Sequence, residues 1–338
     1  MGLKQGPEPL TSLRLPGAFL FYFGPMPENN SFQLDLQDHR HFEALEFFAR
    51  QTVEGFITGL HKSPFHGFSV EFSEHRIYNP GESIRHIDWK LYGRTDRLYT
   101  KRFEEETNLR ALFILDTSGS MFYPAEAVSP ENPNKVLFSA VSILALMNLL
   151  RKQRDAVGLA TFGQQNGQTE LRSNYRHHRA INRALFEVLA QYQRGSQAQI
   201  GLVEKLHLTA QSLPRRSLLL LFSDLFEAQD EPQAFFDALK HLKYQRHEIL
   251  LFWTLDTRTE LDFTFENRPY RFVDLETGQS IKLNPREVVN KYREQSGEFA
   301  QELRRRCLQY RIELVEANIA QGYQSVLQAY LIKRKRMR

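Results

Sequence analysis

A single cysteine, Cys307, in 338 residues excludes an internal disulfide and any zinc site built from cysteine pairs. It sits between Arg306 and Leu308 in a helical pattern, where it reads as structural. Long apolar runs are missing as well. The richest, Val136 to Leu150, is interrupted by Ser139, Ser142 and Asn148 and is too short to cross a bilayer comfortably, so it reads as a buried helix. The start of the chain has no basic segment leading into an apolar one, and Phe19 to Phe23 is too brief for a signal core. Gly2 gives only part of a myristoylation pattern, because Gly6 stands where Ser or Thr is favoured. These features point to the cytoplasm. The histidines, which cluster loosely at His61, His66, His75 and His86 and at His177-His178, form no His-x-x-x-His pair with an acidic partner, which leaves a zinc hydrolase without support. There is no Gly-x-x-x-x-Gly-Lys-Ser/Thr phosphate loop, so the chain is not expected to hydrolyse ATP, and there is no Gly-x-Ser-x-Gly nucleophile elbow.

The residues that are present, 41% apolar and 25% charged, are ordinary for a globular chain with a sizeable core. The net charge of +4 owes much to residues 333–338, where five of six are basic. Such a run reads as a solvated tail, able to touch phosphate or an anionic membrane. Residues 1–38 show Pro, Gly and Asn clusters without a sustained period and read as an arm. In residues 39–107, Phe42, Leu45, Ala49, Val53, Phe56 and Leu60 recur at the spacing of one helix face. Short alternating runs at 68–72 and 98–103, separated by Asn79-Pro80-Gly81, add a small β-containing lead-in.

Residues 108–332 alternate strand-like and helix-like pieces, as expected of an α/β, Rossmann-like domain with a mostly parallel sheet and helices on both faces. Strands are expected at 111–115, 157–162, 217–222, 249–255 and 312–315. Helices are expected at 135–152, 178–192, 200–212, 232–245, 286–309 and from Tyr323. Residues 257–285 break the rhythm, and Phe263, Phe265, Tyr270 and Phe272 around a Glu276-Thr277-Gly278-Gln279 turn suggest an inserted β-hairpin.

Directly after Ala111–Leu115 comes Asp116-Thr117-Ser118-Gly119-Ser120, at the carboxyl end of a buried strand, where ligands bind in open α/β sheets. One carboxylate and two hydroxyls alternate through a tight turn. Hard oxygens of this kind suit Mg²⁺, Mn²⁺ or Ca²⁺. Ser223-Asp224 ends the run 217–222 in the same way, so two parallel strands ending side by side would bring Asp116 and Asp224 to one edge. About a dozen residues, including Glu126 and Glu131, separate the serines from the following helix, so capping that helix is not their task; either glutamate could plug the site from within.

The Asp-x-Ser-x-Ser pattern resembles the metal-ion-dependent adhesion site of von Willebrand factor type A domains. That resemblance implies direct contact of Ser118 and Ser120 with the metal, and roles through water for Asp116 and Asp224. It also implies a third hydroxyl, for which Ser196 in Arg194-Gly195-Ser196-Gln197 is the best match, ahead of Thr209 and Ser173. Upstream, the segment from Arg76 through Asp88-Trp89-Lys90, Gly93-Arg94-Thr95-Asp96-Arg97 and Lys101 to Glu106 resembles the signature of the DUF58 family, whose members carry a von Willebrand type A-like domain. This segment reads either as a salt-bridged structural shell or as a docking surface beside the metal edge.

The function these readings imply is a metal-dependent interaction module or adaptor, not an enzyme, that holds a partner's carboxylate through Mg²⁺. The resemblance adds a MoxR-type AAA+ ATPase as partner, in the assembly or maturation of protein complexes. Two alternatives remain open: a metal-dependent phosphoesterase or nuclease around Asp116 and Asp224, and nucleic-acid or membrane binding through the basic tail.

Overall fold

The computed structural model describes residues 39–61, 75–77, 89–101, 109–124, 128–190, 198–273, 275 and 279–337. Helix α1 (His39–His61) buries Leu45, Ala49 and Val53, the face expected from their spacing, against a helix of the main domain. Strands β1 (His75–Ile77) and β2 (Tyr99–Lys101) pair antiparallel, with the short helix α2 (Trp89–Thr95) between them in sequence. Strand β2 falls within the run expected at 98–103, whereas β1 lies beyond the one expected at 68–72. The arm at 1–38, the run at 68–72, the turn at 79–81, Asp88 and Glu104 to Glu106 lie outside the described residues.

The main domain is built on a six-stranded sheet in the order β10-β7-β6-β3-β4-β5. Its members are β3 (Arg110–Thr117), β4 (Ala156–Gly163), β5 (Gly167–Gln168), β6 (Leu218–Ser223), β7 (Glu248–Leu255) and β10 (Glu313–Asn318). All pair parallel except the two-residue edge strand β5. The α/β architecture with a mostly parallel central sheet and helices on both faces agrees with the Rossmann-like expectation. Side chains alternate across β3: Ala111, Phe113 and Leu115 enter one core with α3 (Lys135–Lys152), α4 (Tyr175–Ala190) and α9 (Gln324–Met337), while Leu112 and Ile114 enter the other. The second core holds α5 (Leu202–Ser212), α7 (Pro232–Tyr244) and α8 (Pro285–Gln309); a one-turn helix, α6 (Phe226–Asp230), follows β6.

Helix α3 explains the longest apolar run. Fifteen of its eighteen residues are buried, because α1, α4 and α9 cover the sides that the sheet leaves open. The Asn134 side chain accepts from Leu137 N at 2.9 Å and caps its start. The expected hairpin in 257–285 is present as β8 (Tyr270–Val273) and β9 (Ser280–Leu283), preceded by a π-helical turn at Thr257–Leu261. Phe263, Tyr270 and Phe272 form its own small core with Tyr292 of α8.

Residues 333–337 correct the expectation of a solvated basic tail, since they continue α9 along the sheet. Lys333 and Arg334 are buried, Lys333 Nζ lying 2.7 Å from Glu248 Oε2 and Arg334 Nη1 2.7 Å from Asp155 Oδ2. The apolar face of α9 carries these cations to carboxylates at the starts of β7 and β4. Asp155 is itself fully buried and accepts from Leu109 N at 3.0 Å. Arg334→Met strands that carboxylate and is expected to cost about 3 kcal/mol in urea unfolding, whereas Arg336→Met, on an exposed arginine, should cost less than about 1 kcal/mol.

Candidate metal centre

The connections after β3 and β6 leave to opposite faces of the sheet, α3 to one and α7 to the other, and open a crevice between the carboxyl ends of these neighbouring strands. Asp116 lies at this crevice near the end of β3, and Asp224 directly follows β6. Hydrogen bonds fix the first loop. Thr117 Oγ1 donates to Phe162 O at 2.6 Å and accepts from Gln165 N at 3.0 Å, pinning β3 to the end of β4. There Gly163, at φ +93°, presses so closely that a Cβ would stand 2.5 Å from Ser118 N.

Asp116 is buried, with 4% exposure. Its Oδ1 accepts from the Ser118 amide at 2.9 Å, and its Oδ2 accepts from Ser223 Oγ at 2.6 Å. Ser118 precedes a 3-10 turn, Gly119–Phe122, but its side chain makes no capping bond. Instead the hydroxyls of Ser118 and Ser120 lie 3.0 Å apart, Ser120 buried and Ser118 half-buried. The ordinary use of serine at a helix start is thus absent, and three oxygen-bearing side chains gather in one turn. Across the crevice, Leu225 is held at φ +60°, a strained backbone for a leucine, with its amide donating to Ser223 Oγ at 3.0 Å.

A buried cation completes the edge. Lys135, the first residue of α3, is fully buried; its ammonium donates to Asp224 Oδ2 at 2.7 Å and to Glu260 Oε1 at 2.5 Å, and stands 4.8 Å from the centre of the Phe226 ring. Glu260 comes from the π-helical turn after β7, where its Oε2 accepts from Asp256 N at 2.8 Å and its backbone oxygen accepts from Tyr292 Oη at 2.8 Å. The other oxygen of Asp224 accepts from Phe226 N at 3.2 Å, and Trp253 Nε1 donates to the Asp224 carbonyl at 2.9 Å.

Burial, and then the charge of Asp224, push the Asp116 carboxyl up to about 8 against the pull of its bonds from Ser223 and Ser118. Glu260 rises to about 7, chiefly through burial, although Lys135 draws it down. Burial alone would depress Lys135; the charges of Asp224 and Glu260 outweigh it and hold its pKa above the usual lysine range.

The Asp116, Ser118 and Ser120 oxygens fit a hard divalent cation, and a carboxyl raised by burial and by the charge of Asp224 is the kind of group such an ion would ionise. Asp224 is at the expected edge, but its carboxylate is engaged by Lys135 and Phe226 N. Ser196 and Glu126 lie outside the described residues. Thr209 is buried in α5, Ser173 is exposed before α4, and Glu131 is exposed. Sequence reasoning missed Lys135 and Glu260. The signal for Lys135 was a lysine opening an otherwise apolar helix, at the end whose dipole disfavours cations. For Glu260 it was a third strand ending in acid, Leu255-Asp256, as β3 and β6 do.

The match to known proteins covers both this crevice and the lead-in, running from residue 74 to 302 and taking in Asp116, Ser118, Ser120, Lys135, Asp224 and Glu260. The chain belongs to the DUF58 family, described as proteins of unknown function. It is also similar to the uncharacterised proteins Mb1516 of Mycobacterium bovis and Rv1480 of Mycobacterium tuberculosis, with 29% identity over 77 residues, or 23% of this chain. The aligned segment spans 24% of the length of these curated relatives. In the DUF58 signature segment, Arg94, Asp96 and Arg97 are exposed around the end of α2.

Lys135→Met leaves Asp224 and Glu260 without their cation and is expected to lower stability by about 3 kcal/mol or more; adding Asp224→Asn and Glu260→Gln should recover most of that loss in chemical denaturation. Asp116 binds its proton more tightly folded than unfolded, so its favourable contribution is complete below about 4 and is lost as pH rises towards about 8. In chelator, the decline in melting temperature between pH 5 and pH 8 should therefore be shallower in Asp116→Asn than in the wild type.

Proposed function

We propose that this DUF58 protein is a metal-dependent protein-recognition module with a von Willebrand type A-like domain, whose metal-ion-dependent adhesion site is formed by Asp116, Ser118 and Ser120. The observation that carries the reading is the pair of serine hydroxyls, 3.0 Å apart, neither capping a helix, beside a buried carboxylate at the sheet's switch point. Mg²⁺, with Mn²⁺ or Ca²⁺ as substitutes, would supply a hard Lewis-acidic centre there for a carboxylate of the partner. The protein's own residues do the rest. Ser223 and the Ser118 amide orient Asp116, Gly163 and Thr117 hold the loop against β4, and Ser118 is the half-buried residue of the three, Asp116 and Ser120 being buried.

Asp224 acts in this scheme as the carboxylate that fixes Lys135 and adds negative potential behind the site. An arrangement with one partly accessible hydroxyl and otherwise buried charges favours capture of an external ligand over turnover. The resemblance to proteins commonly linked with MoxR-type AAA+ ATPases supplies the partner class, and assembly or maturation of protein complexes the process.

Calorimetric titration with Mg²⁺ is expected to show one site in the wild type, weakened at least about tenfold in Ser118→Ala/Ser120→Ala and in Asp116→Ala, with melting curves confirming that the variants fold. Co-purification with a MoxR-type AAA+ ATPase should require Mg²⁺ and be lost in EDTA. Mg²⁺ binding unchanged by these substitutions would sink the reading.

A further inference from the structure

The amino-terminal edge of the sheet, remote from the metal centre, carries an arginine before each of three adjacent strands. Arg311 precedes β10, Arg246 precedes β7 and Arg216 precedes β6, each by two residues. All three are exposed, and all three have the left-handed backbone, with φ of 55°, 64° and 62° respectively. That region suits glycine and disfavours a residue with a Cβ.

For two of them the local motif is the same. At the end of α7, Arg246 N donates to Lys243 O and His247 N to Leu242 O; at the end of α8, Arg311 N donates to Leu308 O and Ile312 N to Cys307 O. This double bond pattern closes a helix with its left-handed residue in the position where glycine is most at home. A cation there also offsets the negative helix end. Yet α7 already has His241 and Lys243 in its last turn, and α8 has Arg306, so that need is met without the strained backbone. Arg154 closes α3 in the same way two residues before β4, at φ 56° and outside the groove, so left-handed arginines are a general feature of these helix ends, and what sets Arg216, Arg246 and Arg311 apart is the groove they share.

These arginines line one open groove of about 1370 Å³. The groove's acids are already matched: Glu248 with Lys333 at 2.7 Å, Glu313 with Arg336 at 3.3 Å and Glu316 with Arg304 at 2.6 Å. Lys243 shares Glu248 with Lys333, at 3.5 Å, and the guanidinium groups of Arg216, Arg246 and Arg311 have no acidic partner among the described residues, so the groove carries an excess of positive charge. Leu308, 81% exposed, lies on the wall beside them.

We propose that this groove binds an acidic peptide segment of a partner protein, its Asp and Glu side chains clamped by Arg216, Arg246 and Arg311 and an apolar residue lying on Leu308. Guanidinium forks pair with carboxylates through two parallel hydrogen bonds. Strand register sets Arg216 level with Arg246 and Arg311 level with Glu248, two residues further along, so the three cations are spread over neighbouring strand starts about 4.8 Å apart. Nucleic acid fits less well, because no aromatic side chain lines the groove to stack a base and three carboxylates lie along it. A bilayer fits less well because the surface is concave. The inference uses nothing from the metal centre.

Fluorescence anisotropy with a short labelled peptide rich in Glu with interspersed Leu tests it on the full chain. The peptide should bind in EDTA as well as in Mg²⁺ and weaken with added salt, while the same peptide with Lys for Glu should not bind. Arg216→Gly/Arg246→Gly/Arg311→Gly should reduce affinity at least about tenfold, yet keep or raise the melting temperature, because glycine accepts the left-handed backbone. Arg179→Ala/Arg183→Ala/Arg286→Ala removes equal charge from exposed sites elsewhere and should leave affinity unchanged. The proposal is overturned if the acidic peptide does not bind, if both triple variants weaken it equally, or if oligodeoxythymidine or phosphatidylserine vesicles bind the groove more tightly than the peptide.

Discussion

A fully buried ammonium holds the carboxyl-terminal edge of this sheet together. Lys135 reaches Asp224 after β6 and Glu260 after β7, so one side chain at the start of α3 ties that helix to two neighbouring strand ends. Each of these charges alone would cost several kcal/mol to bury; together, with amides and an aromatic ring around them, they are compensated. The helix they anchor is almost wholly enclosed and fixes where the chain returns from Asp116, Ser118 and Ser120. The geometry of the proposed metal loop therefore depends on an ion pair outside its own motif.

The same edge explains why the two aspartates differ. Asp224 has a cation at 2.7 Å, whereas Asp116 has only donors of neutral hydroxyl and amide type and feels the charge of Asp224. Burial without a positive partner is what raises Asp116. A sequence pattern that treats both as equivalent acids after strands misses this asymmetry, which leaves Asp116 without a cation and Asp224 already paired with one.

The two ends of the sheet divide the electrostatic work. Buried carboxylates and hydroxyls gather where the parallel strands end, and exposed arginines line the end where they begin. Helix geometry contributes to this division, because the β-to-helix turns and the helix-to-β turns lie at opposite edges of a parallel α/β sheet. Recognition of acidic groups at both edges, as proposed, would suit a protein that bridges partners.

The order of strands and helices was legible from periodicity and from punctuation: continuous apolar runs at 111–115 and 217–222 became central strands, and the aromatic cluster at 263–272 became a hairpin with its own small core. Asp116, Ser118, Ser120 and Asp224 were legible because residues that follow a buried strand share one edge. Glu260 and Lys135 were not, since 125 residues separate them in the chain and only the packing of α3 beneath the turn after β7 brings them to 2.5 Å. The last residues misled for the same reason: a run such as Lys333 to Arg336 reads as solvated until an amphipathic helix carries two of its cations to buried acids. Local sequence thus determined which elements form and which edge gathers Asp116, Ser118, Ser120 and Asp224, because both follow from short-range pattern. Which charges neutralise one another was decided only by the tertiary structure, because Coulomb pairing in a low-dielectric interior depends on distances that no local pattern encodes.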